Sequence, residues 1–446
     1  MTPELRALLE LTNPWLSDPF AAQGAAQRRG PLNLLSRAAA PGLAAALEDR
    51  RRAHLVIGPR QAGKSTLVWS LLSARPQSLL FLNCEETLIR QWCVSPALFV
   101  GDMAEWLPED GVLFLEEAQW LDEAGLFLKG LVDAQTGRRI VVTGSSSYHL
   151  LARTRESLAG RATRHALWPL SLREVVPTDS HSSPAAFRRA RREAMERQLL
   201  VGGYPEVWTS RNAESVLQEL LTAFVLRDAS DRFRIERPDA FRLLLRLLAG
   251  QVGDVGSFSE WSHILGIAVS TVSDYVALLE ETHLVRRVRP FIGGKRAELT
   301  QAPRFYFLDN GLRNLLVGGL THLEERADIG KLMENWVASE LHKRYPEPGE
   351  VRYWRTTGGA EVDFVLEPRP GVLVGIEVKA RTGGTLKLTR SMHSFIEAYQ
   401  PRRMLLVHRG EPERQEIGTT EVLAVPAELL PEALDELAEF GSEKGR

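Results

Sequence analysis

Hydrophobic positions between residues 52 and 168 fall into short apolar runs, separated by stretches with helical spacing. The runs cover residues 55–57, 79–82, 112–115 and 140–142, and a helical pattern over 126–132 precedes the last of them. Each run is apolar at nearly every position, which is typical of strands buried on both faces. This alternation predicts a parallel sheet with crossover helices.

The pattern changes beyond residue 168. Residues 169–240 have helical spacing, and residues 241–308 predict three short helices followed by two strands. Ser257 is placed to cap the second of these helices, and Val272 and Val276 lie on the inner face of the third. Three helices followed by a β-ribbon resemble a winged helix-turn-helix.

The last part of the chain predicts another α/β region. A helix begins near residue 331, followed by strands over 351–355, 361–366 and 372–378, a helix over 386–399 and a strand over 404–408. The resulting order is αβββαβ. Residues 431–446 are expected to form an acidic helical end that frays.

The first predicted strand runs into a phosphate-binding motif. The pattern GxxxxGK[ST] is filled by Gly58, Pro59, Arg60, Gln61, Ala62, Gly63, Lys64 and Ser65, and Thr66 follows in the next helix. Glycines let the backbone curl so that its N–H groups point at phosphate oxygens, and the helix adds its positive end. We expect Lys64 to contact the β- and γ-phosphates of ATP and Ser65 to ligate Mg²⁺.

Two acids follow the third predicted strand. Glu116 is placed to hold Mg²⁺, and Glu117 is the candidate base that orients or deprotonates the attacking water. Glu116 is one methylene longer than the usual Asp, which moves its carboxylate by ~1.5 Å. Because Mg²⁺ requires nearly octahedral coordination, this residue is compatible with slow hydrolysis.

Polar residues end the fourth predicted strand. Thr143 or Ser145 is expected to sense the γ-phosphate, with an ordinary turn as the alternative. Arg161 is a candidate arginine finger for a neighbouring subunit, and a structural ion pair is the alternative for this residue.

Six strings resemble a large prokaryotic ATPase family in which an AAA-type module precedes a C-terminal domain of unknown function. In chain order they are GPRQAGKSTL, LFLEEAQWL, TGSSS, ESLAGR, WPLSLREV and GGYPEVW. The resemblance covers about residues 30–430 and implies membership of the AAA+ class, hence a homo-oligomer such as a hexameric ring. The chain departs from the family pattern at Glu116, because the family pattern at this position and the next resembles Asp-Glu.

A second set of charged residues lies at predicted strand ends in the C-terminal region. Glu377 and Lys379 share one face of their strand because their spacing is two, and Asp363 lies on the preceding strand. We expect Asp363 and Glu377 to share a divalent cation, with Glu334 approaching from the helix. Lys379 would poise a water or stabilise a phosphorane, and a structural Glu–Lys pair is the alternative.

Glu334, Asp363 and Glu377-x-Lys379 resemble the motif of the PD-(D/E)XK nuclease superfamily, and the order of elements agrees with it. This resemblance implies a nuclease-like fold in which Asp363, Glu377 and Lys379 are catalytic and Glu334 contributes to the metal site.

Composition limits the remaining choices. The 446 residues include 55 Lys and Arg against 57 Asp and Glu, a formal net charge of -2, so nucleic-acid contact requires local basic patches. Two cysteines, Cys84 and Cys93, do not make a disulfide framework, and no run approaches the ~18 apolar residues of a membrane span. We expect a cytoplasmic protein with no membrane association.

Basic patches occur in two places. In the predicted β-ribbon they are Arg286, Arg287, Arg289, Lys295 and Arg296, which are suited to backbone phosphates rather than to sequence-specific contacts. On a predicted helix, Arg188, Arg191 and Arg192 share one face; phosphate binding and a solvated face interleaved with glutamates are both compatible with this pattern.

The predicted fold class is α/β: a P-loop AAA+ ATPase module, a helical lid, a winged-helix domain and a PD-(D/E)XK nuclease-like domain. The expected segments are an N-terminal helical segment (1–30), the ATPase core (31–168), the lid (169–240), the winged-helix domain (241–320), the nuclease-like domain (321–430) and a tail (431–446).

Three functions are compatible with these features. In the first, an ATPase that uses ATP and Mg²⁺ controls a C-terminal domain that binds or cleaves DNA, recognised by structure rather than by sequence. In the second, the protein is an ATP-dependent DNA motor without nuclease activity. In the third, it is an ATP-switched regulatory or defence scaffold that binds proteins.

Overall fold

The chain forms two compact units. The structure, a computed structural model, describes residues 1–16, 18, 35–72, 78–144, 158–178, 183–224, 235–293, 302–380 and 387–442, with side chains to residue 437. The first unit comprises Met1–Trp168 and Glu281–His283, and the second comprises Pro169–Glu280 and Leu284–Arg446.

The first unit contains a five-stranded sheet with helices between the strands. Its elements are α1 (Pro3–Thr12), α2 (Ala39–Ala46), β1 (Ala53–Ile57), α3 (Lys64–Leu72), β2 (Leu79–Asn83), α4 (Thr87–Trp92), α5 (Pro96–Met103), β3 (Val112–Glu116), α6 (Ala124–Asp133), β4 (Arg139–Gly144) and β5 (Ala162–Ala166). The strand order is β2-β3-β4-β1-β5, and neighbouring strands are parallel.

The predicted parallel sheet with crossover helices is confirmed, and its four predicted strands are β1 to β4. Successive residues of each strand enter different cores: Leu55 and Leu113 belong to one hydrophobic cluster, whereas Val56 and Phe114 belong to another. Both faces are therefore covered, as the apolar runs indicated. Strand β5 was not predicted, because its sequence Ala-Thr-Arg-His-Ala has no apolar run and lies at the sheet edge.

Two side chains from the N-terminal segment bind the other edge of this sheet. The Asn13 amide donates to the Phe81 carbonyl at 3.0 Å and accepts from the Phe81 N–H at 2.7 Å. The Trp15 indole N–H donates to the Leu79 carbonyl at 2.7 Å. Because β2 is an edge strand, these bonds satisfy backbone groups that would otherwise lack a neighbouring strand.

The second unit begins with helices. They are α7 (Leu172–Val175), α8 (Pro184–Val201), α9 (Pro205–Thr209), α10 (Ala213–Ala223), α11 (Pro238–Gly250), α12 (Phe258–Leu265) and α13 (Val269–Glu281). The expected lid over residues 169–240 is thus helical, but its helices cluster with the second unit rather than with the ATPase sheet. Ser257 caps α12 by accepting from the Glu260 N–H, as predicted.

The remaining elements build an eight-stranded sheet and its covering helices. They are β6 (Val285–Pro290), β7 (Arg304–Phe307), α14 (Asn310–Leu316), α15 (Ile329–Arg344), β8 (Val351–Arg355), β9 (Glu361–Arg369), β10 (Val372–Val378), α16 (Arg390–Tyr399), β11 (Arg403–His408), β12 (Glu413–Ile417), β13 (Thr420–Pro426) and α17 (Leu430–Ser442). The strand order is β12-β13-β11-β10-β9-β8-β6-β7.

The predicted αβββαβ order is found from α15 to β11. Strands β8, β9 and β10 are antiparallel neighbours, and β11 runs parallel to β10. The β6–β7 pair of the predicted winged-helix region joins the same sheet, since β6 pairs with β8. The three helices and two strands predicted there are present, but the two strands are part of a larger sheet.

The predicted fraying tail is wrong for the start of α17. Leu430, Leu434 and Leu437 are buried in the core of the second unit. The sequence was interpreted from its acidic residues, whereas the leucines at helical spacing decide how this helix packs.

Arginines on α8 form ion pairs within the second unit. Arg191 is fully buried and lies 3.1 Å from Glu432, and Arg192 lies 2.7 Å from the buried Glu428. Arg188 also pairs with Glu428, at 3.4 Å. The predicted shared face is therefore occupied by intramolecular contacts.

No single helix among the described residues is long and apolar enough to cross a membrane. The bent pair Phe258–Leu265 and Val269–Glu281 passes the same test together, on length and composition alone.

Candidate functional site

The loop between β1 and α3 has the backbone that the P-loop motif predicts. Gly58 has a φ of +151°, and a Cβ at this position would lie 1.9 Å from the Leu167 carbonyl oxygen. The Ile57 carbonyl in turn accepts from the Leu167 N–H at 2.8 Å. Gln61 and Gly63 also have positive φ values, of 56° and 92°. Only glycine fits at position 58, because of this close approach.

Lys64 lies inside the loop. Its ammonium group donates to the carbonyl oxygens of Gly58 at 3.1 Å and Pro59 at 2.8 Å, and its side chain is buried. Lys64 is also the first residue of α3, so the helix begins where the loop ends, and Ser65 lies in its first turn. The N-terminal end of a helix favours an anion such as a phosphate.

The two acids after β3 lie beside neighbouring strand ends. Glu116 is the last residue of β3 and pairs in register with Asn83 of β2. Glu117 has a left-handed backbone, with φ 53°, and its N–H donates to the hydroxyl of the fully buried Thr143 at 3.2 Å. The Gln119 amide donates to one oxygen of the Glu117 carboxylate.

Thr143 is thus brought next to Glu117, whereas Ser145 lies outside the described residues. Arg161 lies 2.6 Å from Asp133, with a side chain that is 37% exposed. This contact is the structural ion pair that was the alternative to an arginine finger.

The C-terminal acids and lysine come together on adjacent strands of the second unit. Asp363 on β9 accepts from the Val378 N–H at 2.8 Å, and Glu377 on β10 lies 2.7 Å from the Lys379 ammonium group. Asp363 and Glu377 are buried, and Lys379 is about half exposed. The second oxygen of Glu377 is buried and has no hydrogen-bond partner among the described residues.

Glu334 on α15 approaches the same pocket but has its own partners. The Tyr306 hydroxyl donates to it at 2.7 Å, and the Arg304 guanidinium lies 3.8 Å away. Arg304 also lies 2.7 Å from Glu361 and sits 4.5 Å above the Tyr353 ring. The charges of Glu334, Asp363, Glu377 and Lys379 interact with one another, and Arg304 and Glu361 interact with Glu334. We refer to these six residues as the carboxylate pocket.

Electrostatics in the carboxylate pocket oppose ionisation of the acids. Burial raises the pKa of Glu334 to about 8, with a further increase from Asp363. Burial and the charge of Asp363 raise the pKa of Glu377 to about 7, against the opposing effect of Lys379. Like charges held in a buried pocket disfavour the ionised form, and a cation would reverse this preference.

Two of the three predicted metal ligands fit a divalent cation. Asp363 and Glu377 supply hard carboxylate oxygens. The Glu377 oxygen that has no hydrogen-bond partner among the described residues can coordinate the cation. However, no group of three or more His, Cys, Asp or Glu side chains is placed to hold a metal within the described ranges. Glu334 does not complete a three-ligand site in this arrangement.

Comparison with known proteins agrees with the nucleotide site. The AAA domain family matches residues 50–176. Uncharacterized proteins of Mycobacterium tuberculosis and Mycobacterium bovis are each 30% identical over 407 residues, covering 88% of this chain and 86% of theirs. The chain belongs to this AAA-type ATPase family. An uncharacterized Haemophilus influenzae protein is 24% identical over 397 residues, covering 84% of this chain and 94% of its own.

Other regions of this AAA-type ATPase match families without an assigned function. Two domains of unknown function, DUF8612 and DUF4143, match residues 192–323 and 329–430. Among solved structures, the Walker-type ATPase of Pyrococcus abyssi matches with a TM-score of 0.44 and 15% identity, covering 65% of this chain and 97% of that one. The Thermotoga maritima RuvB Holliday junction branch migration motor has a TM-score of 0.31, 16% identity, and coverage of 59% and 93%.

Sequence reasoning missed several residues of the two sites. In the ATPase unit, Arg37 donates to the Ala62 carbonyl of the loop at 2.6 Å and to the Trp168 carbonyl at 2.5 Å, and Gln119 binds Glu117. In the carboxylate pocket, Arg304 and Glu361 were missed. Arg37 and Arg304 lie far along the chain from the residues they contact, whereas Gln119, two residues from Glu117, and Glu361, two residues from Asp363, carried a local signal.

The predicted basic ribbon is partly engaged within the second unit. Arg287 lies 2.6 Å from Glu280, and Arg286 donates to the Pro346 carbonyl. Arg289 is exposed. Lys295 and Arg296 lie outside the described residues.

Proposed function

We propose that this AAA-type ATPase binds and hydrolyses ATP to control a C-terminal unit that acts on DNA. The observation that carries the DNA assignment is the carboxylate pocket, in which Asp363, Glu377 and Lys379 meet on adjacent strands. Two buried acids have little use in a core, since burying charges costs free energy unless they are paired. They suit a phosphodiester and its attendant cation.

In the proposed ATPase site, Lys64 exchanges its bonds to the carbonyls of Gly58 and Pro59 for phosphate oxygens. Ser65 and Glu116 hold Mg²⁺, which neutralises phosphate charge when bound. Glu117 takes a proton from the attacking water, while Thr143 fixes its backbone and Gln119 holds one carboxylate oxygen. The second carboxylate oxygen serves as the acceptor for the water.

In the proposed DNA site, Lys379 contacts a backbone phosphate, since its side chain is about half exposed and lies at the edge of the pocket. Asp363 and Glu377 would hold a divalent cation that supplies a Lewis acid for the phosphate. Exposed Arg289 on β6 is a further phosphate contact. Such contacts recognise the shape and charge of DNA rather than its sequence.

The arrangement also favours a second candidate, in which the C-terminal unit binds DNA without cutting it. The observation behind it is that no third carboxylate ligand is in place among the residues that the structure describes, since Glu334 is held by Tyr306 and Arg304. A cation bound by two carboxylates alone is less firmly fixed than one in a complete site.

One experiment separates these candidates. Wild-type protein is incubated with labelled single-stranded, duplex and branched DNA, with and without ATP and with Mg²⁺ or Mn²⁺. Cleavage that is lost in Asp363→Ala with Lys379→Ala, while ATP hydrolysis is retained, supports a nuclease. Binding without cleavage supports the second candidate. If the protein neither binds nor cuts any of these DNAs, the proposed DNA function is wrong.

A further inference from the structure

Arg304 is the most highly paired cation of the carboxylate pocket. Its guanidinium lies 2.7 Å from Glu361 and 3.8 Å from Glu334, stacks over Tyr353, and is only 5% exposed. Its charge also interacts with that of Asp363. A buried arginine between carboxylates balances their charge in the way that a bound cation would.

Glu334 is confined on its other side as well. Its Oε1 accepts from the Tyr306 hydroxyl at 2.7 Å, and a Cβ at Gly253 would lie 2.7 Å from the same oxygen. Gly253 has a φ of +77° and lies in the segment between α11 and α12. The Gly253 N–H donates to the Phe305 carbonyl at 3.2 Å. Glu334 is therefore fixed toward β7, the strand that carries Arg304.

Asp363 and Glu377 are arranged differently. Their partners are the Val378 N–H and Lys379, and one Glu377 oxygen is buried and unpartnered within the described residues. The pocket contains four acids, Glu334, Glu361, Asp363 and Glu377, and two cations, Arg304 and Lys379, and Arg355 also lies 3.8 Å from Glu361. With Arg355 counted, one negative charge is unmatched when all of these groups are ionised.

We propose that Arg304 is the resident counter-ion of Glu334 and excludes it from the ligand set of a divalent cation held by Asp363 and Glu377. The inference rests on the proposed function to the extent that the acid pair takes a cation. A three-carboxylate site forms only when Arg304 moves away from Glu334. Arg304 is the first residue of β7, which pairs with β6, so rotation of its side chain or movement of this strand pair would release Glu334.

The test is Mn²⁺ binding, measured by electron paramagnetic resonance on the full chain without nucleotide or DNA. Binding that disappears in Asp363→Asn is assigned to the pocket. In the wild-type background, Glu334→Gln is expected to change the Mn²⁺ affinity less than threefold. In an Arg304→Gln background, the same Glu334→Gln change is expected to weaken Mn²⁺ binding at least tenfold.

Lys379→Gln is the matched control, since it removes one positive charge from the same pocket. If Arg304 acts only through its charge, Glu334→Gln will have the same effect in the Lys379→Gln and Arg304→Gln backgrounds, and the proposal fails. Arg304→Lys keeps the charge and is expected to behave as the wild type. Circular dichroism and thermal unfolding check that each variant is folded.

Two outcomes overturn the proposal without any Arg304 variant. A tenfold loss of Mn²⁺ affinity in Glu334→Gln alone would make Glu334 a ligand in the wild type. Absence of pocket-specific Mn²⁺ binding would leave no ligand set from which Glu334 is excluded. Neither result depends on DNA, so fluorescence anisotropy with labelled DNA tests the proposed function separately.

Discussion

Glu117 shows how single residues prepare the nucleotide site. Its left-handed backbone and its bond to Thr143 place the carboxylate at the end of β3, and Gln119 restrains one of its oxygens. A residue whose backbone and side chain are each held by a hydrogen bond loses little entropy when it meets substrate. The role of Glu117 is therefore best tested by a change that keeps its shape.

Glu117→Gln is expected to retain ATP binding and to lower the turnover number by about 10²-fold or more, because the amide cannot accept the proton of water. Calorimetry measures ATP binding, and phosphate release measures turnover. Lys64→Ala is the contrasting variant, since it should weaken ATP binding. Lys387→Ala is the control, because it removes an exposed lysine of the second unit and should change neither ATP binding nor turnover. Normal turnover in Glu117→Gln would require another base.

At this scale the sequence predicts contacts that are local and misses those that depend on folding. Gly58 to Ser65 are consecutive, so their pattern predicts the loop directly. Arg304 and Glu334 are 30 positions apart and meet only because β7 packs on α15. A periodicity or a motif contains no information about such a pair.

Among the elements, α14 and α15 are joined by an ion cluster in which two largely buried arginine side chains meet a partly exposed aspartate. Asp328, at the start of α15, pairs with Arg326 at 2.9 Å and with the buried Arg313 of α14. Burial opposes ionisation of Asp328, but hydrogen bonds from Arg326 and Arg313 outweigh it and lower its pKa to about 2. A carboxyl group whose pKa is lower in the folded chain than in the unfolded chain stabilises the fold at pH values above its unfolded pKa. This stability is lost as the pH falls toward the folded pKa.

Asp328→Asn is therefore expected to lower the unfolding temperature most at neutral pH, with a loss of stability of at least about 1 kcal/mol after allowance for solvent screening. The difference from the wild type should shrink as the pH falls from about 5 to about 2, since Asp328 takes up a proton in the unfolded chain near its ordinary pKa of 3.8 and in the folded chain only near 2. Thermal unfolding across this range provides the measurement. Asp274→Asn, an exposed aspartate on α13, should show no such trend.

Helix α17 gives a second prediction at the element scale. Leu437 is fully buried, so Leu437→Ala should destabilise the second unit by about 2–5 kcal/mol, through lost transfer free energy and a cavity. Leu243→Ala, at a 42% exposed position of α11, should cost less than about 1 kcal/mol. Equal unfolding temperatures for the two variants would mean that α17 contributes little to the core.

The elements that the sequence missed share a physical cause. Strand β5 lies at a sheet edge and needs no apolar run, and β12 alternates charged residues along Glu-Arg-Gln-Glu-Ile, also at an edge. Strands inside a sheet are buried on both faces and therefore carry the hydrophobic pattern that predicts them. Thus β1 to β4 were predicted, including the edge strand β2 with its apolar run, whereas the edge strands β5 and β12, which have no such run, were not.

At the scale of the whole molecule, we expect the chain to form a homo-oligomer. With ATP, Glu117→Gln should form an assembly whose mass is a multiple of the 49.8 kDa chain, because bound nucleotide is retained. Lys64→Ala should not show this nucleotide-dependent increase. Light scattering coupled to size exclusion gives the masses. A single-chain mass for Glu117→Gln in saturating ATP would contradict assembly. Arg161 would then have only its ion pair with Asp133 and no role as an arginine finger for a neighbouring subunit.

The N-terminal segment also affects how the protein should be divided for experiments. The AAA domain match begins at residue 50, which makes that position a natural starting point for a shortened version. Such a version would lack Asn13 and Trp15, and the backbone of β2 that they bind would be open to pairing with a strand of another molecule. Aggregation of such a shortened protein would then result from the exposed edge of β2 and not from native assembly.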